Sequence, residues 1–168
     1  MDSIAFSDSQ ILRLTNLALL ICKGRAEIKF EKDGKAFKAI EVAASEAAFK
    51  VIDYLKNLAR GHALIFGRTA ITDEDLKLLE EVAISCIPRH LRRLVRALRE
   101  GRLVNTKTIV NGLGSVESDA RLSSPTARSH MDQLAILGIV ELTKGSPQTN
   151  EPDSIALSKP FQWLLLRP

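Results

Sequence analysis

The stretch Ser123 to Leu142, SSPTARSHMDQLAILGIVEL, begins as a capped helix and ends as a strand. Ser124 is placed to cap the helix and Pro125 to take its first position, where a missing N–H costs nothing. Beyond them Ala127, Met131, Leu134 and Leu137 recur at steps of four, three and three, which sets them on one helix face. Thr126, Arg128, Ser129 and Gln133 then fall largely outward, a small, hydrogen-bonding and basic set. A helix that enters the major groove of DNA needs short side chains for close approach and donors for base edges. Insertion explains the polar first turns, and docking on preceding helices explains the apolar last ones. Gly138 is placed to end the helix and Ile139 to Thr143 to form a strand. Ile155-Ala156-Leu157 is placed as its partner, so residues 145–153 become the tip of a β-wing.

Upstream, RHLRRLVRALREGRL follows Pro88. Leu91, Leu94, Val95 and Leu98 form one stripe of a helix there, and Arg89, Arg92, Arg93, Arg96 and Arg99 another. Like charges at these spacings each cost a few tenths of a kcal/mol on an isolated helix, so the stripe invites something anionic. Phosphate and an acidic neighbouring domain both fit, and a solvated stripe whose Arg stems cover apolar surface is the plain alternative. Asn105 or Thr106 can cap the short helix TKTIVNGL, which Gly112 and Gly114 close. SVESDARLS then intervenes as a polar turn.

The first half reads as helices around a hairpin. Ile11, Leu14, Leu17, Ala18 and Ile21 recur at helical spacing over Ser9 to Cys22, with Ser7 or Ser9 as cap. In AEIKFEKDGKAFKAI a two-residue turn at Asp33-Gly34 predicts a hairpin over 26–40 with Phe30 opposite Phe37. A long helix over about 44–66 carries Ala48, Val51, Ile52, Leu55, Leu58, Ala59 and Leu64 on a broad apolar face, and Gly67 can close it. Thr72-Asp73-Glu74-Asp75 opens the next helix with a capping-box pattern, which accounts for three consecutive carboxylates without a metal.

Composition bounds the rest. The 168 residues are 45% hydrophobic, enough to bury a core in one domain or two small ones. Residues 1–87 hold 12 basic against 13 acidic side chains and residues 88–168 hold 12 against 7, so an anionic partner is expected at the second half. Neither Cys22 nor Cys86 belongs to a CxxC pair, and His62, His90 and His130 show no ligand spacing, so no metal and no disulfide is expected. The chain has no GxxxxGK[ST] or GxGxxG loop and no nucleophile–base spacing, so neither a cofactor nor an enzymatic activity is expected. A basic leader and a membrane-length apolar run are both lacking, and a cytoplasmic location with no membrane partner is the default expectation.

Residues 89–157 resemble a winged helix-turn-helix domain of the prokaryotic transcription-regulator type. RHLRRLVRALREG, NTKTIVNGLG and above all SPTARSHMDQLAILGIVEL carry the resemblance. Taken with the reading of the first half, it implies a mainly α fold in which a helical domain with a hairpin, 1–88, precedes a winged-helix domain with a two-stranded wing, 89–168. It also implies double-stranded DNA as partner. Ser124, Thr126, Arg128 and Ser129 become candidate base or backbone contacts, followed by Gln133. Lys144 of the wing and Arg92, Arg93 and Arg96 of the stripe complete the candidate set. Family members join the second and third helices by a tight turn, whereas here Glu117 and Asp119 lie in an insertion, and Lys144 shares the wing with Glu151 and Asp153.

YLKNLARGHALIFGRTAITDEDLKLLEEVAISCIP, within about residues 44–88, resembles more loosely the helical lid of AAA+ ATPases, which precedes a winged helix in some members. In that family a lid arginine reaches ATP, and Arg60 and Arg68 are the two candidates. A regulatory protein-interaction region of such an ATPase is therefore the alternative to a DNA-binding module. The terminal KPFQWLLLRP, with Phe161, Trp163, Leu164, Leu165 and Leu166, either returns over the first half or pairs with another subunit as a homodimer.

Overall fold

The computed structural model describes residues 4–33, 36–113, 122–146 and 148–165. Gly34, Gly114, Glu117, Asp119 and Leu166, which enter the expectations above, lie outside them. The fold is mainly helical, with one two-stranded and one three-stranded antiparallel sheet.

Helix α1 spans Asp8–Gly24. Its cap is Ser7 rather than Ser9, because the Gln10 side chain accepts from the Ser7 backbone N–H at 2.9 Å while Ser7 Oγ accepts from Gln10 N at 3.3 Å. Strands β1, Glu27–Asp33, and β2, Ala36–Ala44, form the expected hairpin, but its register differs. Asp33 pairs with Ala36, so Phe30 lies opposite Ala39 and Phe37 opposite Lys32. The turn is centred one residue later than Asp33-Gly34 implies, and two bulges displace the strand ends further.

Helix α2, Ala48–Ile65, ends where Gly67 adopts φ +66°, the left-handed conformation that a glycine tolerates without strain. Helix α3, Asp73–Ser85, opens on the Thr72 capping box. Asp75 is wholly buried and accepts from Thr72 N at 2.8 Å, Thr72 Oγ1 at 3.0 Å and Arg68 Nη2 at 2.7 Å, with His62 Nδ1 at 2.6 Å. Burial works to raise the Asp75 carboxyl, but hydrogen bonds from His62 and Thr72 and the Arg68 charge outweigh it and hold it below its ordinary value. The carboxylates are thus helix-start groups, and among the described residues no cluster of three or more His, Cys, Asp or Glu is placed to hold a metal. No described helix is long and apolar enough to cross a membrane.

The second half begins with α4, Arg89–Arg99, and α5, Thr106–Val110, capped by Asn105. Between them Val104–Asn105 forms a short strand, β3, which two residues of sequence could not announce by periodicity. Helix α6, Ser124–Ile136, is capped by Ser123, whose Oγ accepts from Thr126 N at 3.3 Å. The cap lies one residue before Ser124, and Pro125 still falls in the first turn. Strands β4, Val140–Thr143, and β5, Ser154–Leu157, pair antiparallel, and β3 joins the free edge of β5 to give the order β3-β5-β4. A 3-10 helix, Lys159–Leu165, then returns to α1 and α4 and buries Phe161 and Leu164.

One cluster of buried side chains runs from α1 through α3 and α4 to α6, with Leu17, Leu79, Leu94 and Leu134 all solvent-free. Full burial of each such residue contributes about 1.5–3 kcal/mol. Where α1 ends, Gly24 lies so close to the α3–α4 joint that a Cβ would stand 2.8 Å from Ile87 Cγ1. Nearby, Glu80 of α3 takes an ion pair from Arg13 of α1 and another from Arg99 Nη2 of α4 at 3.1 Å. Glu81 pairs with Arg99 and, at 3.6 Å, with Arg96. Removing Glu80, which leaves two guanidinium groups facing each other in a partly dry joint, is expected to cost about 3 kcal/mol. Removing the exposed Glu81 should cost under about 1 kcal/mol. Urea unfolding of Glu80→Ala and Glu81→Ala checks the contrast, and equal losses would refute it.

Candidate nucleic-acid interface

The apolar face of α6 is placed as its spacing requires, with Ala127, Met131, Leu134 and Leu137 buried. Pro125 and Arg128 lie on the open side, with the Arg128 side chain 58% exposed, while Ser124, Thr126 and Ser129 are half-buried. Thr126 Oγ1 and Ser123 Oγ are 2.8 Å apart, so the first turn carries a hydroxyl pair at its rim.

Gln133 does not belong to this surface. It is buried on the flank of α6 that faces the start of α4, where its Oε1 lies 3.2 Å from His90 Nε2 and its Nε2 donates to Ser129 Oγ at 3.3 Å. Its amide is consumed by the protein, and the outward placement expected for it is corrected accordingly. Sequence spacing puts Gln133 at the edge of the apolar arc, and only the position of α4 decides to which side that edge belongs.

The two cations expected at the surface are both held by acids. Arg128 Nε pairs with Asp153 at 3.2 Å, and Lys144 Nζ with Asp132 of α6 at 3.2 Å. Asp153 is a junction of the second half. Its carboxylate also accepts from Gly145 N at 2.9 Å, and its backbone oxygen accepts from Thr106 N at 2.9 Å and Thr106 Oγ1 at 3.3 Å. One residue thereby ties the start of α5, the exposed side of α6 and the root of the wing. Lys107, which sequence reasoning passes over, reaches the wing by donating to Asn150 O at 3.2 Å. Its place directly after the first residue of α5 is the available signal. Strand β2 also packs against α6, a contact between the two halves that no local pattern could forecast.

The arginine stripe divides. Arg92 donates to Ile87 O at 3.1 and 3.2 Å and to Ser85 O, so it caps the carbonyl end of α3, where the helix dipole favours a cation. Arg96 and Arg99 face Glu81 and Glu80. The anionic neighbour that the stripe requires is α3 of the same chain. Arg92 and Arg96 are therefore groups of the α3–α4 joint, and Arg99 serves the same joint. Arg93 lies elsewhere, half-buried, with its Nε enclosed and without a hydrogen-bond partner among the described residues. Burial lowers its pKa from the ordinary value. The two arginines singled out in the first half are likewise used internally. Arg68 binds Asp75, Glu74 and Thr72, while Arg60 donates to Ile4 O at 3.1 Å and lies 5.4 Å above the Phe6 ring.

Behind α6, the rings of His90 and His130 stand 4.9 Å apart, and His130 Nδ1 is buried without a hydrogen-bond partner among the described residues. Burial, with the charges of His90 and Arg93 adding, pushes His130 down to about 4 from its ordinary 6.5. The unfolded chain therefore binds a proton on His130 before the native one does. Above pH 6.5 the group contributes no pH dependence, and between 6.5 and about 4 falling pH destabilises the fold. Across that window the wild type should lose more stability than His130→Gln, as measured by urea unfolding at a series of pH values. Parallel curves would remove His130 from the acid sensitivity. Comparison of the chain with family models, curated proteins and solved structures finds no match.

Proposed function

We propose that this chain is a DNA-binding winged helix-turn-helix module in which the amino-terminal turns of α6 meet the major groove and the β4–β5 wing meets the adjoining backbone. The observation that carries the reading is the order helix, short strand, helix, helix, strand, strand, closed by a sheet in the order β3-β5-β4. It sets the polar start of α6 beside the wing, with Arg128 and Asp153 bridging them. Arg128 is the donor suited to a guanine edge or a phosphate, Ser124, Thr126 and Ser129 are short enough for close approach, and Lys144 and Lys107 supply backbone charge. Arg92 and Arg96 have no direct part in this surface.

A second reading, a protein-interaction region of an AAA+ ATPase, is favoured by the packing of β2 on α6 and by the acids already paired to Arg128 and Lys144. One experiment separates the two. In fluorescence anisotropy with labelled duplex DNA, replacing a phosphate-binding cation such as Lys107 by alanine should make the slope of log K against log salt shallower by about 0.9. Arg128→Ala should weaken binding by about 1–3 kcal/mol if the side chain reads a base edge. Arg92→Ala should lower thermal stability and leave the affinity of the folded protein unchanged. Absence of salt-sensitive binding at low salt would overturn the DNA reading in favour of the second.

A further inference from the structure

Helix α2 buries Val51, Leu55, Ala59 and Ala63 against its neighbours, yet it is apolar along a second line as well. Tyr54 is 68% exposed, Leu58 41% and Ile65 81%. With Gly61 they fall at steps of four, three and four, one continuous stripe down the helix. Leu64 and Phe66 extend the apolar surface at its carboxyl end, both more than half exposed. Gly61 is the odd member. A glycine inside a helix is unfavourable relative to alanine, and a Cβ at Gly61 would meet nothing within 4 Å, so nothing among the described residues demands the absence of a side chain there.

We propose that this stripe is a homodimer interface, in which α2 packs antiparallel against α2 of a second copy across a two-fold axis between Ala59 and Arg60. In that register the stripe complements itself. Tyr54 meets Ile65 of the second copy, and Leu58 enters the gap left by Gly61, each contact occurring twice as an isologous interface requires. The stripe itself carries no charge, and Arg60, level with the axis, is turned to its own chain, where it donates to Ile4 O and lies over the Phe6 ring. Area supports a second copy too. At about 150–250 Å² for a fully buried aromatic side chain, the exposed parts of Tyr54, Leu58, Leu64, Ile65 and Phe66 offer roughly 600 Å² per copy. A stable interface needs about 800 Å² per partner, a difference the flanking polar residues can supply. In the carboxy-terminal apolar cluster Phe161 and Leu164 are already buried against this chain's own helices, whereas Leu165 is 45% exposed.

Sedimentation equilibrium of the full chain from micromolar to near-millimolar concentration tests the proposal. The wild type is expected to show a reversible monomer–dimer equilibrium whose dissociation constant rises about tenfold or more in both Ile65→Glu and Gly61→Leu. Both positions are open in the monomer, so circular dichroism and the melting temperature of dilute protein should be retained. Gly61→Leu should melt no lower than wild type, because leucine is the better helix former. Loss of association in that variant therefore cannot be ascribed to unfolding. A wild type that is monomeric throughout the range would overturn the proposal, as would a dimer whose dissociation constant neither substitution moves.

Discussion

Glu80 is the charge on which the arrangement of this molecule turns. Its side chain is 10% exposed, and it lies between an arginine of the first helix and an arginine of the fourth. A carboxylate so placed is tolerated only because two guanidinium groups replace the water it gives up. The same joint takes Arg92 onto the last carbonyls of α3 and Arg96 onto Glu81. Electrostatic fit and apolar packing thus coincide where the helices of the first half meet those of the second, and Ile87 pressed against Gly24 marks how closely.

Much of the local structure could be read from residue types and spacing. Gly67, Gly112 and Gly138 each end a helix with positive φ, and Thr72 and Asn105 open theirs as capping residues. The buried face of α6 follows from its step pattern. These features are local, decided within a turn or two of chain, and a single sequence carries them fully. The hairpin was legible as a hairpin but not in register, because Asp33 pairs with Ala36, one step later than the turn residues imply, and the bulges beyond Phe30 depend on what each strand packs against. Strand β3 was illegible because its identity comes from β5, about fifty residues away.

The candidate site was legible to a lesser degree, for the same reason. Arg128 and Lys144 could be picked out as exposed cations by type and position, but their acidic partners could not. The five arginines of α4 look alike in sequence, and three of them are assigned their work by α3. Gln133 sits on a boundary that the helical period leaves undecided, and His90 decides it. In each case the missing information was which foreign element lies against a given helix face. That is a property of tertiary packing which no single segment encodes.

Asp153 gives the proposed surface a character of exchange. Arg128 is not waiting in solvent for an anion, since it already has one, and any phosphate or base that takes it must displace a carboxylate that also accepts from the root of the wing. The displaced charge must then be rehydrated or find another donor, and the Gly145 N–H is the donor that remains to it among the described residues. Binding at the helix would in this way be felt at the wing, and by reciprocity a wing drawn toward a backbone would loosen the hold on Arg128. If the surface binds as proposed, a weak or badly shaped ligand would gain little from such a trade, and the ion pair would favour partners able to engage helix and wing together.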